Sequence, residues 1–299
     1  MKISNVPDRK VILITGSSSG FGRLTAETLA REGHSVYASM RDIHGRNSHV
    51  RIKVEQLAKN ENLDISVIEV DVTNDSSVDE AVAFIIEDAG RIDVLINNAG
   101  VMNIGVTEAY TLQQVQQQFE VNFYRMVRTN RAVLPHMRKQ KQGLLIQISS
   151  LAGRLVFPFF GVYCASKFAA EAMSEVYRYE LSGFGIDSVI LEPGPYGTHL
   201  LESAPRAEDK QRLEFYAELA DVPNTMIKSF ADLNNNDEAP DPQEVANTIL
   251  RLIMKPTGQR PLRTVVGIDY GVNRLNDSIA PFQHDLLTAL EMRQMEQPV

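Results

Sequence analysis

Residues 10–22, KVILITGSSSGFG, join a short apolar run to a glycine-rich turn. The run Val11–Ile14 is continuous and rich in β-branched residues, which is typical of a strand buried on both faces of a parallel sheet. Gly20 and Gly22 allow the backbone to approach a ligand, and a helix that begins there directs its N–H groups and positive dipole end at an anion. The stretch therefore predicts a strand, a phosphate-binding turn and a helix. Its spacing, G-x-x-x-G-x-G, is not the commonest dinucleotide fingerprint, so an ordinary turn remains an alternative.

Strand and helix patterns alternate along the rest of the chain. The further strands that we predict are residues 35–40, 65–70, 94–96, 143–149, 187–191 and 264–266. Alternation of this kind predicts an α/β fold, with a doubly wound parallel sheet of about seven strands and helices on both faces. We expect a single Rossmann-type domain over residues 1–299: a cofactor-binding and catalytic core at 8–195, a substrate loop or lid at 196–240, and a C-terminal completion of the sheet with a tail at 241–299.

Two longer segments carry more specific expectations. Residues 112–138 predict one long helix, which Pro135 near its C-terminal end should bend or stop. Residues 199–240 contain no strand pattern and one helical stretch, at 207–220. A long excursion between sheet elements is often a lid or a binding loop, so we expect this one to cover the substrate.

The composition excludes several classes of partner. The chain has 299 residues, a net charge of −8 and no block of basic residues, which argues against nucleic acid and anionic membranes as main partners. The apolar run Val11–Ile14 is too short for a signal peptide or a membrane span. The single cysteine, Cys164, allows no intrachain disulfide and suits a reducing cytoplasm, so we expect a cytoplasmic protein. His44 and His49 are isolated in a polar loop, and we predict no metal site.

A tyrosine and a lysine four residues apart suggest proton chemistry. Tyr163 and Lys167 fall in a helical pattern that runs from Gly161 to Leu181, so they should project from the same face. A free phenol has a pKa of about 10, and an ammonium within about 4–6 Å lowers it. A tyrosine tuned in this way can exchange a proton with an alcohol or a carbonyl oxygen. A surface Tyr–Lys pair without function is the alternative.

Two serines, Ser149 and Ser150, lie at the carboxyl end of the predicted strand at 143–149, the edge where parallel sheets bind ligands. The glycine-rich turn, the strand-end serine and Tyr163-x-x-x-Lys167, in that order, resemble the short-chain dehydrogenase/reductase family, in its shorter, non-extended branch. The resemblance covers roughly residues 8–200. The spacing of thirteen residues between Ser150 and Tyr163 matches the active serine of that family, which favours Ser150 over Ser149.

The resemblance implies hydride transfer between a nicotinamide and a carbonyl or secondary alcohol. Tyr163 would be the general acid/base, and Ser150 would bind the substrate oxygen. Lys167 would lower the pKa of Tyr163 and hold the nicotinamide ribose. Asn122 would be the fourth catalytic-site residue, with its backbone carbonyl holding a water that bridges to Lys167. An ordinary helical asparagine is the alternative for Asn122.

The resemblance also places a dinucleotide cofactor along the strand ends. The cofactor-binding residues that it implies, with Arg41 treated below, are Gly16, Ser18, Ser19, Gly20, Phe21, Gly22, Asp71, Val72, Asn98, Ala99, Gly100, Tyr163, Lys167, Pro193, Gly194 and Thr198. Asp71 would bind the adenine amino group, although an N-cap role is an alternative. Thr198 would contact the nicotinamide carboxamide. Tyr196-Gly197 departs from the usual branched aliphatic residue in this loop, which leaves the course of the loop open.

The end of the second strand bears on the choice between NADP and NAD. By the resemblance, the acidic residue that binds the ribose of NAD falls on Met40, which cannot accept a hydrogen bond from a hydroxyl. The next residue, Arg41, can pair with a 2′-phosphate. We therefore expect NADP(H) rather than NAD. In the alternative, Arg41 is a solvated loop residue and Asp42 binds the ribose.

Other classes of nucleotide-binding protein are alternatives to this interpretation. A non-catalytic NADP-binding regulatory protein would not need Ser150, Tyr163, Lys167 and Asn122 together, and an extended-branch epimerase would show a different glycine spacing. An NAD-dependent alcohol dehydrogenase is a further alternative.

The substrate and assembly are expected by resemblance as well. Residues 37–42 and 162–168 look like hydroxysteroid or retinol dehydrogenases, which would suit a bulky, apolar small-molecule carbonyl or alcohol. Phe157, Phe159 and Phe160 would border such a substrate, or simply pack in the core. Pairing through the helices near 112–138 and 161–182 would give a homodimer or homotetramer.

Overall fold

The computed structural model of the chain describes residues 9–197, 200, 204–234 and 239–298. Thr198, which the sequence predicts to contact the nicotinamide, lies outside the described residues. None of the helices in these ranges combines the length and the apolar character needed to cross a bilayer.

The fold is built on a parallel sheet of seven strands in the order β3-β2-β1-β4-β5-β6-β7, with helices around it. The strands are β1 Val11–Ile14, β2 Ser35–Met40, β3 Ile65–Glu69, β4 Val94–Asn97, β5 Gly143–Ile148, β6 Ile186–Pro193 and β7 Arg263–Val266. The predicted fold class is confirmed. The strand order reverses between β1 and β4, and the carboxyl ends of these two strands form the switch point where open α/β sheets bind their ligands.

Ten α-helices surround the sheet in the described residues. They are α1 Gly20–Arg31, α2 Ser48–Glu61, α3 Asp75–Ala89, α4 Leu112–Phe119, α5 Arg125–Gln140, α6 Gly161–Glu180, α7 Lys210–Glu214, α8 Val222–Asn234, α9 Gln243–Met254 and α10 Val272–Ala289. Successive strand residues point to opposite faces, so β1 contributes to two separate cores. Ile12 and Ile14 pack with residues of α1 and α9, whereas Val11 and Leu13 pack with residues of α3 and α5.

The predicted long helix at 112–138 is interrupted. A π-helical turn, Glu120–Tyr124, separates α4 from α5, and the backbone N–H of Arg125 bonds to the carbonyl of Glu120 five residues earlier. Pro135 does not stop the helix, because α5 continues to Gln140. A proline removes only one backbone hydrogen bond, and the buried residues Val133, Leu134 and Met137 keep this part of α5 on the sheet.

The segment before α9 is more helical than the sequence predicts. The helical stretch expected at 207–220 is divided into α7 and a 3₁₀ turn, Ala217–Asp221, and α8 follows where no helix was predicted. Met226, Ile227 and Phe230 of α8 pack against an apolar cluster that includes Tyr163. Packing on the core therefore stabilises a helix whose own sequence is a weak helix signal.

Candidate active site

Ser150 and Tyr163 meet at the carboxyl edge of the sheet. Ser150 directly follows the end of β5, and its Oγ accepts a hydrogen bond of 3.1 Å from the N–H of Ala152, which fixes its rotamer. Tyr163 lies in the first turn of α6, and its side chain interacts with that of Ser150. Ser149 instead directs its side chain toward Glu171, away from Tyr163. The structure thus brings Ser150, and not Ser149, to the tyrosine.

Burial is the main influence on the phenol of Tyr163. It raises the pKa of Tyr163 to about 12, although the interaction with Ser150 acts in the opposite direction. Lys167 Nζ lies 5.7 Å from the centre of the Tyr163 ring and donates a hydrogen bond to the backbone carbonyl of Ile148. Burial is therefore the dominant influence on this phenol, and the lowering of its pKa by Lys167 stays a prediction.

Lys167 is itself an unusual lysine. It is 6% exposed, and burial lowers its pKa to about 7. The positive charge of Arg125 acts in the same direction, and the carboxylate of Glu171, one helical turn further along α6, acts against both. Near neutral pH this side chain is consequently close to the point where it loses its proton.

Asn122 lies buried in the π-turn and ties it to two other elements. Its Nδ2 donates to Ser166 Oγ and to the carbonyl of Val101, each at 3.0 Å, and its Oδ1 accepts from the N–H of Val101 at 3.0 Å. The side chain therefore joins the segment after β4 to α6. Its polar atoms are fully used in this way, so the water-binding role that the sequence predicts rests on the backbone carbonyl and stays a prediction.

The glycine-rich turn packs tightly against the end of β4. Gly16 has φ +71°, and a Cβ there would lie 2.7 Å from the Cα of Ala99. A Cβ at Gly22 would clash with the carbonyl of Gly16. Ser19 is the N-cap residue of α1 but makes no side-chain capping bond. The N-terminal N–H groups of α1 are therefore not capped by Ser19, and an anion is a suitable partner for such groups.

Thr15 is the centre of a hydrogen-bond network at the switch point. Its Oγ1 accepts from the N–H groups of Asn98 and Ala99, at 3.0 and 3.2 Å. Asn98 Nδ2 donates back to the carbonyls of Thr15 and Gly16. Asn98 therefore joins the ends of β1 and β4.

Asn97 makes different contacts. Its Nδ2 donates to Asn130 and its Oδ1 accepts from Thr129, both on α5, so it anchors a helix and not a neighbouring strand. A Cβ added at Gly100 would lie 3.5 Å from Asn122 Oδ1.

The residues at the end of β2 differ in how well they are placed to bind the ribose or its phosphate. Met40 is buried with Ile43 and Val54, whereas Arg41 is exposed. Asp42, the alternative ribose ligand, has φ +48°, and its carboxylate accepts a hydrogen bond of 2.7 Å from the N–H of Arg46. Because that carboxylate closes its own turn, Arg41 is the better placed of the two to meet a ligand.

Asp71 lies near Arg41 after β3. Its Oδ1 accepts from the N–H and the hydroxyl of Thr73, at 3.0 and 2.7 Å. Burial raises the pKa of Asp71, but the bonds from Thr73 and the charges of Arg41 and Arg128 outweigh burial and lower it overall. Asn74, and not Asp71, caps α3 by accepting from the N–H of Ser77. The neighbouring Val72 is buried.

The loop after β6 is fixed by the residue that departs from the expected pattern. The N–H of Gly194, which follows Pro193, donates to the carbonyl of Val266 on β7 at 2.9 Å. Tyr196 is buried, donates to Glu244 of α9 at 2.9 Å and meets the ring of Phe21 edge-on. Phe21, predicted to contact the cofactor, thus packs against this tyrosine.

An apolar wall covers one side of Tyr163. Phe160 is its central member, with ring centres 6.1 Å from Phe157, 6.5 Å from Tyr163 and 6.4 Å from Phe230. The wall consists of Met102, Ile104, Ala152, Phe157, Phe160, Cys164, Leu200, Ala204, Met226, Ile227 and Phe230. Phe160 is therefore both a buried core residue and a neighbour of the Tyr163 ring, and Phe157 is partly buried and packs against Phe160.

A buried charge cluster that was not predicted from the sequence lies behind the site. Arg263 Nε of β7 donates to Glu171 at 2.9 Å and lies 3.5 Å from Glu192, whose other oxygen accepts from Asn276. Burial and the neighbouring Glu171 raise the pKa of Glu192, and burial also raises that of Glu171. The i, i+4 spacing of Lys167 and Glu171 was the only available signal, because Glu192 and Arg263 come from distant strands.

Arg125 is a further residue of the site that was not predicted from the sequence. It is 2% exposed at the start of α5, where its Nη1 donates to Thr15 Oγ1. Its position three residues after Asn122 could have drawn attention to it, since a charged residue on a buried helix face requires a reason.

The fold and this site define a nucleotide-binding α/β protein of the Rossmann class. The residues present suit a dinucleotide: the N-terminus of α1, which Ser19 does not cap, the close-packed glycine turn and the buried Arg125 lie at the switch point, and the buried Lys167 lies at the end of the neighbouring strand β5. A family model described as short chain dehydrogenase matches residues 10–209.

Individual relatives agree with the family match. The chain is 36% identical to 3-ketodihydrosphingosine reductase of Bacteroides thetaiotaomicron over 259 residues, covering 86% of this chain and 88% of that protein. It is 34% identical to human retinol dehydrogenase 8 over 272 residues, covering 87% and 82% of the two chains. A crystal structure of a short-chain dehydrogenase from Streptomyces avermitilis superposes with a TM-score of 0.75 at 31% identity, covering 95% and 97%. The chain belongs to the short-chain dehydrogenase/reductase family and is an oxidoreductase.

Proposed function

We propose that the protein is an NADP(H)-dependent oxidoreductase that reduces a bulky, apolar carbonyl compound, or oxidises the corresponding secondary alcohol, with Tyr163 as general acid/base. The observation that carries the proposal is the interaction between the Ser150 and Tyr163 side chains beside the apolar wall. When bound, the nicotinamide supplies or accepts the hydride. The residues that would hold the cofactor are those of the glycine turn, Arg41, Asp71, Lys167 and the strand ends after β4 and β6.

The protein groups would act on the substrate oxygen. In reduction, Tyr163 Oη gives its proton to that oxygen, and the Ser150 hydroxyl donates a hydrogen bond that stabilises its developing charge. A phenol whose pKa is raised to about 12 stays protonated at neutral pH, which suits a proton donor. The direction in the cell follows from the ratio of oxidised to reduced cofactor, and NADP(H) usually serves reduction. In oxidation the same groups would work in reverse, with Tyr163 as base.

The preference for NADP(H) rests on Arg41. It is exposed at the carboxyl end of β2, while Met40 is buried and the carboxylate of Asp42 is engaged by its own turn. A guanidinium in this place can pair with a 2′-phosphate, and no carboxylate competes for the ribose hydroxyls from these three positions.

The apolar wall supports the proposed substrate class. Its side chains come from three separate segments, and those of α8 close over Tyr163 from the predicted lid at 196–240. The names of two relatives refer to 3-ketodihydrosphingosine and retinol, which are long apolar molecules. A carbonyl carried on such a molecule would lie against the wall with its oxygen at Ser150 and Tyr163.

A homodimer and a cytoplasmic location are further parts of the proposal. Leu112, Tyr124, Phe168 and Val176 are large apolar side chains that are exposed on α4, the π-turn and α6. Pairing through these helices would cover them, and Val176→Glu should then halve the mass measured by analytical ultracentrifugation. The single cysteine, Cys164, is buried and free, which suits a reducing compartment.

The test is a parallel titration of the purified protein with NADPH and NADH by fluorescence, followed by a screen of apolar ketones and aldehydes. We expect tight NADPH binding and weak NADH binding. Arg41→Ala should weaken NADPH by roughly tenfold or more and leave NADH unchanged, since one charged pair is lost. Arg46→Ala, in the same turn, is the matched control. A preference for NADH would contradict the role of Arg41 and favour an NAD-dependent alcohol dehydrogenase.

A further inference from the structure

Arg125 is among the largest side chains that the fold buries completely. It is 2% exposed, and burial is the only influence that shifts its pKa, which remains high enough to keep it charged at neutral pH. Within the described part of the chain it forms no ion pair with a carboxylate; its hydrogen bonds go to a backbone carbonyl and a hydroxyl. A buried, uncompensated charge is expensive, so its retention requires a reason.

The first contact of Arg125 holds the π-turn. In an α-helix, the N–H of Arg125 would bond to the carbonyl of Val121. In this structure that N–H bonds to Glu120 instead, and Arg125 Nε donates to the carbonyl of Val121 at 2.7 Å. The guanidinium thus replaces the backbone donor that the π-turn removed. The turn that it stabilises carries Asn122.

The second contact reaches the phosphate-binding turn. Arg125 Nη1 donates to Thr15 Oγ1 at 3.2 Å, the same oxygen that accepts from the N–H groups of Asn98 and Ala99. Thr15 precedes Gly16 at the switch point of the sheet. The positive charge therefore lies directly beneath the place where the glycine turn and the end of β4 meet.

We propose that Arg125 is a positioning residue of the dinucleotide site, which ties the π-turn of Asn122 to Thr15 and holds an uncompensated positive charge for an anionic dinucleotide. This inference rests on the proposed function, because it assumes that a dinucleotide binds at the switch point. It adds a residue that the glycine turn and the Ser–Tyr–Lys arrangement do not include. The relevant ligand group is the diphosphate, which NADP and NAD share.

The positive charge of Arg125 acts on the pKa of Lys167. The charged and titratable groups that face Lys167 are Arg125 from α5, and Tyr163 and Glu171 from α6. Burial and then Arg125 lower the pKa of Lys167 to about 7, and Glu171 opposes them. An anion placed beside the two cations should raise this pKa again, so dinucleotide binding near neutral pH should take up a proton.

The test compares Arg125→Met with Arg125→Lys, and uses Arg131→Met on the exposed face of α5 as control. Dinucleotide affinity is measured by fluorescence with whichever of NADPH and NADH the wild type binds. Proton uptake is measured by calorimetry in buffers of different ionisation enthalpy. We expect Arg125→Met to bind about tenfold or more weakly and to lose the proton uptake. Arg125→Lys should keep the uptake, and Arg131→Met should behave as wild type.

The Lys167 signal gives a readout that needs no cofactor. In protein whose lysines carry ¹³C-methyl groups, the NMR signal of Lys167 is the one that is missing from Lys167→Met. The pKa of Lys167 that this signal reports should rise in Arg125→Met and stay unchanged in Arg125→Lys. A purely structural role would lower affinity without moving this pKa or the proton uptake, and would overturn the charge argument. If circular dichroism shows that Arg125→Met is unfolded, Arg125→Lys alone is used for the test. Loss of proton uptake in Arg125→Lys would then contradict the proposal. Wild type that binds neither dinucleotide refutes the proposed function, whereas equal binding by wild type and Arg125→Met refutes only the inference.

Discussion

Lys167 Nζ donates a hydrogen bond of 2.8 Å to the carbonyl oxygen of Ile148, the last residue of β5. This bond ties α6 to the strand end that carries Ser150, so the two elements that supply the serine and the tyrosine are fixed relative to each other. The lysine therefore has a structural role in the site, besides the ribose contact that the family resemblance implies.

Tyr163→Phe should abolish most turnover. The variant removes the proton donor but keeps the ring that packs on Phe160, so we expect kcat to fall by roughly 10²–10⁴-fold with little change in stability. NADPH affinity should change by less than about threefold. Steady-state kinetics on the best carbonyl from the screen, with a binding titration as control, would check this. Full turnover by the variant would rule Tyr163 out as the acid.

Lys167→Met should stabilise the cofactor-free protein while it impairs activity. The folded pKa of about 7 lies below the unfolded value of about 10.4, so the unfolded chain binds the extra proton and the charged lysine opposes folding below that value. Wild-type stability should rise as pH increases from about 7 to about 10, and the variant should lack this rise. We expect a gain of about 1–3 kcal/mol at pH 7, after the loss of the bond to Ile148 is subtracted. Urea unfolding at several pH values measures it, and a destabilised variant at pH 7 would contradict the argument.

Glu192→Gln should flatten the pH dependence of stability. Burial and Glu171 raise the folded pKa of Glu192 above its unfolded value of about 4.3, so the protonated form is favoured by folding. That contribution is fully present below about pH 4.3 and is lost as the pH rises through the folded pKa. The glutamine mimics the protonated acid, and we expect it to stabilise by about 1–3 kcal/mol at pH 8.

The measurement for Glu192→Gln is the melting temperature between pH 5 and pH 9. Glu180→Gln, an exposed position on α6, is the matched control and should show the wild-type profile. The opposite result, a variant that loses stability most at pH 8, would mean that Glu192 is ionised and stabilised by Arg263.

Phe230→Ala should weaken bulky substrates selectively. Phe230 lies on α8 and packs edge-on against Phe160 in the apolar wall. Removing its ring should raise KM for a long apolar ketone by roughly tenfold, since a buried aromatic side chain contributes about 1.5–3 kcal/mol. A small ketone that does not reach α8 should show unchanged KM. Equal effects on both ketones would show that Phe230 only supports the fold, and would remove α8 from the substrate site.

The residues found most readily from the sequence are those whose spacing lies within one local element. Tyr163 and Lys167 are four residues apart on one helix, and the glycine turn is continuous, so their relation follows from helix and turn geometry. The pairing of Ser150 with Tyr163 was inferred from a spacing, and the structure places the two side chains in contact. The helix α8, the π-turn and the lack of any stop at Pro135 were not predicted, because each depends on packing against the sheet.

Residues 10–22 and the alternation that follows them determined the order of strands and helices, and with it the edge of the sheet where a ligand binds. This is possible because hydrophobic periodicity and glycine placement are local properties of a chain. The electrostatic state of the site was decided only by the tertiary structure. Arg125 of α5 and Glu171 of α6 both act on Lys167, and Arg263 of β7 forms an ion pair with Glu171. Desolvation depends on every element that covers a group, so the pKa values of Tyr163 and Lys167 are properties of the fold and not of the motif that contains them.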